Sequence, residues 1–191
     1  MGKVLFITTS PRAKGNGDTL VDAALNAAKS AGAETVRVDT RNPSVKPCKA
    51  CNACMVTGSC VQKDDFGALL DAMKGSDSIV ITVPIYMNLP SAQSVTLLNR
   101  LFQLFSPAYE RSGKGKKLAV MLTFGGSDPE KMKELVENAV SFFAPAGDGA
   151  LGESYLTAYR IEAFPQVEAT LKEKPSAYLN LAAEIGKWAA E

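Results

Sequence analysis

The sequence predicts an α/β fold in which a parallel sheet is covered by helices on both faces. Its apolar runs of strand length are near-continuous, and segments with helical apolar spacing lie between them. A strand that is apolar on both faces is usually buried on both faces, which is typical of doubly wound proteins. No linker, repeat or low-complexity tract interrupts this pattern, so residues 1–191 are expected to form one domain.

Five strands are predicted from runs that end in turn residues. They cover residues 3–8, 34–38, 78–83 and 118–123 and, more weakly, 151–158. The second alternates between apolar and polar residues like a short strand, whereas the first, third and fourth are of the buried type. Pro84 ends the third strand and Gly125-Gly126 follow the fourth.

Helices are predicted between these strands from capping residues and apolar spacing. One begins at Asp18 and stops near Gly32, and another is capped by Asp64 or Asp65 and stops at Gly75. A third runs from Ser91 to about residue 105. A fourth begins at Asp128-Pro129, a strong helix start, and continues to about residue 143. The last, near the C-terminus, contains Trp188.

Composition excludes several classes of function. The 21 Lys and Arg residues balance the 20 Asp and Glu residues, and no tail or face has a sustained basic excess, which argues against nucleic acid. No apolar run approaches the ~20 residues that span a bilayer, and no signal peptide is visible, so we expect a soluble, cytoplasmic protein. Histidine is absent, which removes Ser-His-Asp and Cys-His catalysis and every histidine metal site.

The loop after the first strand has the groups that bind a phosphate. It offers hydroxyls, a guanidinium and flexible backbone N–H groups leading into a helix N-terminus. The residues concerned are Ser10, Arg12, Asn16, Gly17, Asp18 and Thr19. The loop is neither a Walker A loop nor a Gly-x-Gly-x-x-Gly fingerprint. A polar turn before a capped helix would explain the same residues.

Ser10-Pro11-Arg12-x-x-Gly15-Asn16 resembles the phosphate loop of the NADPH-dependent FMN reductase family. The resemblance implies a three-layer flavodoxin-like fold with strand order 2-1-3-4-5 and an FMN phosphate on this loop. NAD(P)H would then be a transient electron donor. Gly17 stands where the family commonly has Thr, and the Asp18 carboxylate must point away from the phosphate, capping its own helix.

The loop after the third strand continues the resemblance. In the family, Pro-x-Tyr, a short loop and Ser-Ala-Gln follow the flavin ring. Here this implies flavin contacts for Pro84, Ile85, Tyr86, Met87, Asn88 and Leu89, with Gly125 and Gly126 allowing close approach to the ring. This chain departs at Val95, where the family has Lys, and at Asn99, where it has Asp. Taken alone, Tyr86 could equally be a half-buried aromatic at a strand end.

All four cysteines lie in the loop 47–61, in the pattern Cys-x2-Cys-x2-Cys-x5-Cys. They are Cys48, Cys51, Cys54 and Cys60. Structural zinc sites more often use two separated Cys-x2-Cys pairs, whereas three close cysteines and one nearby suit a cubane in which each thiolate binds one iron. Zinc, reactive or disulfide-forming thiols and uncommitted cysteines remain alternatives.

Placed after the second strand of such a chain, this pattern resembles that of the iron–sulfur flavoproteins of anaerobic archaea and bacteria. The resemblance implies that the four cysteines ligate an oxygen-labile [4Fe–4S] cluster. It also implies a homodimer or homotetramer that relays electrons between FMN and a small-molecule or protein redox partner. No catalytic side chain is predicted, because flavin chemistry requires none. The alternatives are an FMN or quinone reductase without a cluster, and a non-enzymatic partner-binding protein with a zinc-stapled loop.

Overall fold

The computed structural model describes residues 2–41, 45–109, 115–144 and 155–191. Five parallel strands form one sheet in the order β2-β1-β3-β5-β6, and the two-residue strand β4 pairs antiparallel with β3. The strands are β1 (Lys3–Thr8), β2 (Glu34–Asp39), β3 (Ser78–Tyr86), β4 (Leu89–Pro90), β5 (Lys116–Phe124) and β6 (Leu156–Pro165). With β4 set aside, this is the predicted order, and the flavodoxin-like architecture is confirmed.

Helices cover both faces of the sheet. They are α1 (Asn16–Ser30), α2 (Ala53–Thr57), α3 (Phe66–Lys74), α4 (Ala92–Arg100), α5 (Pro129–Ser141), α6 (Val167–Glu173) and α7 (Pro175–Ala190), with a 3-10 helix at Leu101–Phe105. One apolar core joins the sheet to α1 and α7, and the other joins it to α3, α4 and α5. The near-continuous apolar runs therefore mark strands that are buried on both sides.

The differences from the predicted elements have local causes. β3 continues past Pro84 to Tyr86 because its neighbour β1 ends opposite Thr82, so the missing N–H of the proline lies where no ladder partner is needed. Asn16 rather than Asp18 begins α1, with Gly15 as its N-cap. The predicted strand 151–158 lies partly outside the described residues; the observed strand begins at Leu156, and the short helix α6 follows it unpredicted.

Within the described ranges, no helix has the length and apolar character to cross a membrane.

Gly186 fixes the contact between α7 and α1. A Cβ at this position would lie 1.9 Å from the Ala24 carbonyl oxygen and 2.7 Å from its carbon, both backbone atoms that cannot move aside.

We predict that Gly186→Ala lowers the free energy of unfolding by about 1–3 kcal/mol or more, through overpacking. Gly67→Ala is the matched control, because nothing lies within 4 Å of a Cβ there. It should raise stability by up to about 1 kcal/mol through helix propensity. Urea unfolding measures both, and equal effects would contradict the prediction.

Candidate functional site: a flavin cleft and a cysteine loop

A cleft of about 1110 Å³ opens at the carboxyl edge of the sheet, where β1, β3 and β5 end. Ligands of open α/β sheets bind at this edge, near the point where the strand order reverses. Of the residues predicted to contact a cofactor, nine line the cleft: Ser10, Arg12, Asn16, Gly17, Thr19, Pro84, Ile85, Tyr86 and Gly125. The structure thus brings the loop after β1 (residues 9–19, the phosphate loop) and the loop that includes the end of β3 (residues 84–89, the flavin loop) together around one cavity.

The phosphate loop is a compact turn that leads into α1. The Ser10 hydroxyl accepts a hydrogen bond from the Arg12 N–H at 3.1 Å, and Lys14 has a left-handed φ of 55°. The first N–H groups of α1 lack helical acceptors and carry the positive end of the helix dipole. Beside them, the buried Thr82 hydroxyl has no partner within the described structure, and a Cβ on Gly17 would lie 3.5 Å from it. The Ser10 hydroxyl, these N–H groups and the Arg12 guanidinium line the cleft and fit a phosphate.

Asp18 does not face this cleft with its carboxylate. The side chain is buried and pairs with Arg37 at 2.7 Å and with Arg41 at 3.1 Å, and it accepts a hydrogen bond from the Gly15 N–H. The expectation that it points away and caps its own helix agrees with this geometry. Asp18, which was predicted as a cofactor contact, lies outside the cleft lining. The sequence does not reveal the two arginines that neutralise it, because their approach depends on how β2 lies beside α1.

The flavin loop is a tight hairpin turn between β3 and β4. Met87 and Asn88 have φ values of 51° and 60°, which is the pattern of a type I′ turn. Two successive non-glycine residues in this conformation are strained, and such strain is common at ligand-binding sites. The turn is fastened by the Ser127 hydroxyl, which donates to the Asn88 side-chain oxygen at 2.6 Å. Met87, Asn88, Leu89 and Gly126, which were predicted as contacts, lie outside the cleft lining.

A cluster of buried hydroxyls joins the two loops. Thr9 donates to the Thr82 carbonyl at 2.6 Å, and its hydroxyl lies 2.5 Å from that of Ser94. The Ser91 hydroxyl donates to the Thr9 carbonyl at 2.9 Å and accepts from the Ser94 N–H, which makes Ser91 the N-cap of α4. The start of α4 is therefore fixed to both walls of the cleft.

The C-terminal part of the chain contributes a wall that sequence analysis missed. Gln166 and residues of α6, among them Glu168 and Lys172, also line the cleft. Gln166 adopts a φ of 45° and donates its N–H to the Gly125 carbonyl at 3.1 Å, which ties this wall to the end of β5. No motif in the sequence signals this contact, because it depends on the path of the chain after β6.

The four cysteines lie in one compact loop, and all four thiols are free. Cys48 and Cys51 are exposed, whereas Cys54 and Cys60 are half-buried. Ala50 and Asn52 have left-handed φ values of 50° and 56°, which turn the backbone sharply between the cysteines. The Ala50 N–H donates to the Cys48 sulfur at 3.4 Å. Within the described residues no regular helix joins the first three cysteines, and Cys54 lies in the short helix α2.

The thiols are close enough to influence one another. Burial raises the pKa of the Cys54 thiol, and the charges of Cys60, Cys48 and Cys51 raise it further. Even so, no three Cys, Asp or Glu side chains in the described part of the chain are gathered for a single metal ion. A cubane holds its thiolates further apart, because each binds a different iron. Four thiols without any other donor type fit such a cluster chemically.

The cysteine loop is clamped onto the far end of α4. Arg100 donates to the Lys46 carbonyl at 2.8 Å and to the Cys60 sulfur at 3.3 Å. Gln103 accepts from the Cys60 N–H at 3.0 Å and donates to the Gly58 carbonyl at 2.9 Å. The flavin cleft and the cysteine loop are therefore held at opposite ends of one helix, which rises about 12 Å between Ala92 and Arg100.

Comparison with known proteins agrees with this geometry. The family model described as NADPH-dependent FMN reductase matches residues 2–148. An iron–sulfur flavoprotein of Methanosarcina thermophila is 35% identical over 125 residues, which are 65% of this chain and 64% of that protein. One of Methanocaldococcus jannaschii is 33% identical over 133 residues, which are 70% of this chain and 69% of its own length. The chain thus spans slightly less than two thirds of the first of these relatives.

Solved structures share the fold at low sequence identity. A flavone reductase superposes with a TM-score of 0.68 at 21% identity, over 98% of this chain and 62% of that one. The NAD(P)H:quinone oxidoreductase from Methanothermobacter marburgensis gives a TM-score of 0.67 at 14% identity, over 99% of this chain and 95% of that one. At these identities the likeness concerns the fold alone.

The doubly wound sheet carries the phosphate loop at its carboxyl edge and the flavin loop beside it, and this arrangement agrees with the match to an FMN reductase family. The family match covers most of the chain, and the matched relatives are also named as flavoproteins. The chain belongs to the NADPH-dependent FMN reductase family.

Arg12 lines the cleft in the phosphate loop, where its guanidinium suits a phosphate. We predict that Arg12→Met weakens FMN binding about 10- to 100-fold, because a hydrogen bond to a charged group is worth about 1.5–3 kcal/mol. Riboflavin, which lacks the phosphate, should bind both proteins alike. Quenching of flavin fluorescence measures both affinities. Lys29→Met, at the exposed far end of α1, is the control and should leave both affinities unchanged. An equal loss of affinity for FMN and riboflavin would show that Arg12 does not contact the phosphate.

Proposed function

We propose that this chain is a flavin-dependent oxidoreductase that carries a [4Fe–4S] cluster on Cys48, Cys51, Cys54 and Cys60 and relays electrons between FMN and an external redox partner. The observation that carries the proposal is the cysteine loop itself. Four free thiols are gathered in one loop and clamped to the helix whose other end is fixed to the flavin cleft. The names of the matched iron–sulfur flavoproteins support the same assignment. We take residues 1–191 as one domain.

When bound, FMN accepts a hydride or two electrons and releases them singly, and the cluster carries one electron. The chain's own residues hold and orient these groups. The phosphate loop binds the charged end of FMN, and the backbone of residues 84–86 lies along the cleft. NAD(P)H would act as a transient donor at the open side of the same cleft. The cysteine loop lies at the surface, where Cys48 and Cys51 are exposed to a small-molecule or protein partner.

A second copy of the chain is the partner that the surface fits best. A groove of about 550 Å³ beside Cys48 is lined largely by apolar side chains, among them Leu98, Phe102 and Phe142. The flavin turn of the same chain presents the apolar side chain of Met87, which is 94% exposed. Exposed apolar side chains at two places on one chain favour self-association. A homodimer or homotetramer assembled through them would bring the cysteine loop of one subunit towards the flavin turn of another.

The cluster is tested by purification without oxygen, with an absorption spectrum and iron and zinc analysis. We expect flavin bands, a broad shoulder in the blue region and about four irons per chain. Cys54→Ser should lower the iron content while FMN remains bound, and Ser59→Ala, in the same loop, should retain both. Flavin without iron would indicate a plain FMN or quinone reductase. A colourless zinc protein would contradict the proposal.

Self-association is tested by Leu98→Asp, because a charge placed in an apolar interface is costly to desolvate. We predict a shift to monomer in light scattering coupled to size-exclusion chromatography, with FMN binding retained. Ala177→Asp adds the same charge at an exposed position of α7 and should leave the assembly intact. A wild-type monomer, or a dimer indifferent to Leu98→Asp, would place the interface elsewhere.

A further inference from the structure

Cys60 differs from the other three cysteines in its surroundings. It is half-buried, and its backbone N–H is held by the Gln103 side chain at 3.0 Å. Its sulfur accepts a hydrogen bond from Arg100 at 3.3 Å. Among the hydrogen bonds of the described residues, this is the one that joins a cysteine sulfur to a positively charged side chain. A cation at this distance stabilises negative charge on the sulfur.

Arg100 is itself held rigidly. It is 3% exposed, and it forms a two-pronged ion pair with the buried Asp64, at 2.5 and 3.0 Å. Its guanidinium also lies 4.4 Å from the centre of the Phe66 ring. Burial is the largest single influence and acts to lower the pKa of Arg100, but the hydrogen bonds and charges of Asp64 and Cys60 together outweigh it, so that the pKa lies above its ordinary value. The guanidinium is therefore a permanent charge in a fixed place.

Asp64 and Arg100 act on the cysteine loop with opposite signs. One-electron reduction of an iron–sulfur group adds one negative charge. Hydrogen bonds to the thiolates and a nearby cation stabilise that charge and so favour reduction. The Arg100 charge therefore stabilises the reduced form, and the Asp64 charge opposes it. Burial weakens solvent screening of both charges. Gln103, by contrast, carries no charge. Its hydrogen bonds hold the same loop at the Cys60 N–H and the Gly58 carbonyl, and neither of them involves the sulfur.

We propose that Arg100 is a positioning residue that fixes Cys60 and raises the reduction potential of the cluster ligated there. The Arg100–Asp64 pair then sets that potential by the balance of its two charges. This inference rests on the proposed function, since it requires a cluster on the four cysteines.

The test is a dye-mediated titration with dithionite as the electron source, monitored by electron paramagnetic resonance on protein purified without oxygen. Arg100→Gln should lower the one-electron reduction constant about tenfold, which is about 59 mV. Asp64→Asn should change it in the opposite direction. Gln103→Met, which loosens the loop without altering charge, should leave the potential unchanged even if the iron content falls. A merely structural role for Arg100 predicts loss of iron in all three variants and no opposite shifts.

Removing one partner of a buried ion pair can unfold a protein. The double variant Asp64→Asn with Arg100→Gln removes both charges and keeps the test decisive if Arg100→Gln alone does not fold. Its potential should lie below that of Asp64→Asn, the difference being due to Arg100. Equal potentials, or an unshifted Arg100→Gln protein with full iron content, would overturn the inference and leave the cluster in place. A wild-type protein without iron would overturn both the cluster and the role of Arg100.

Discussion

The buried hydroxyl cluster of Thr9, Ser91 and Ser94 holds together the parts from which the site is built. Hydroxyls enclosed by protein are usually satisfied by one another or by the backbone, because an unpaired one is costly. Here the pairing joins the end of β1, the middle of β3 and the start of α4. The two loops of the cleft belong to distant parts of the chain, and this network sets their spacing. The same network fixes where α4 begins, and hence where its other end meets the cysteine loop.

The fold was predictable from the sequence because its signals are local. Apolar runs of strand length and well-marked helix starts such as Asp128-Pro129 depend on a few neighbouring residues, and the structure has these elements in the predicted order. The phosphate loop and the cysteine loop were predicted as sites for the same reason. Each is a short contiguous segment with a residue pattern suited to its chemistry.

The contacts that were not predicted are those between segments far apart in sequence. Arg37 and Arg41 neutralise Asp18, and Arg100 reaches back to Lys46 and Cys60. An arginine on a predicted helix carries no sign of which distant loop it will meet. The wall formed by α6 was not predicted for a related reason, because it lies beyond the motifs that carry the family resemblance. The sequence thus predicts which segments matter, whereas the structure shows what supports them.

The order in which the chain is synthesised determines when the clamp on the cysteine loop can form. Arg100 is separated from Lys46 by 54 residues and from Cys60 by 40. Because synthesis proceeds from the N-terminus, all four cysteines leave the ribosome before the helix that fastens them. Contacts of such long sequence separation also form late in folding, since the intervening chain must first be closed into a loop. The nascent loop therefore passes through an interval in which its four thiols are present but Cys60 is not yet held by Arg100.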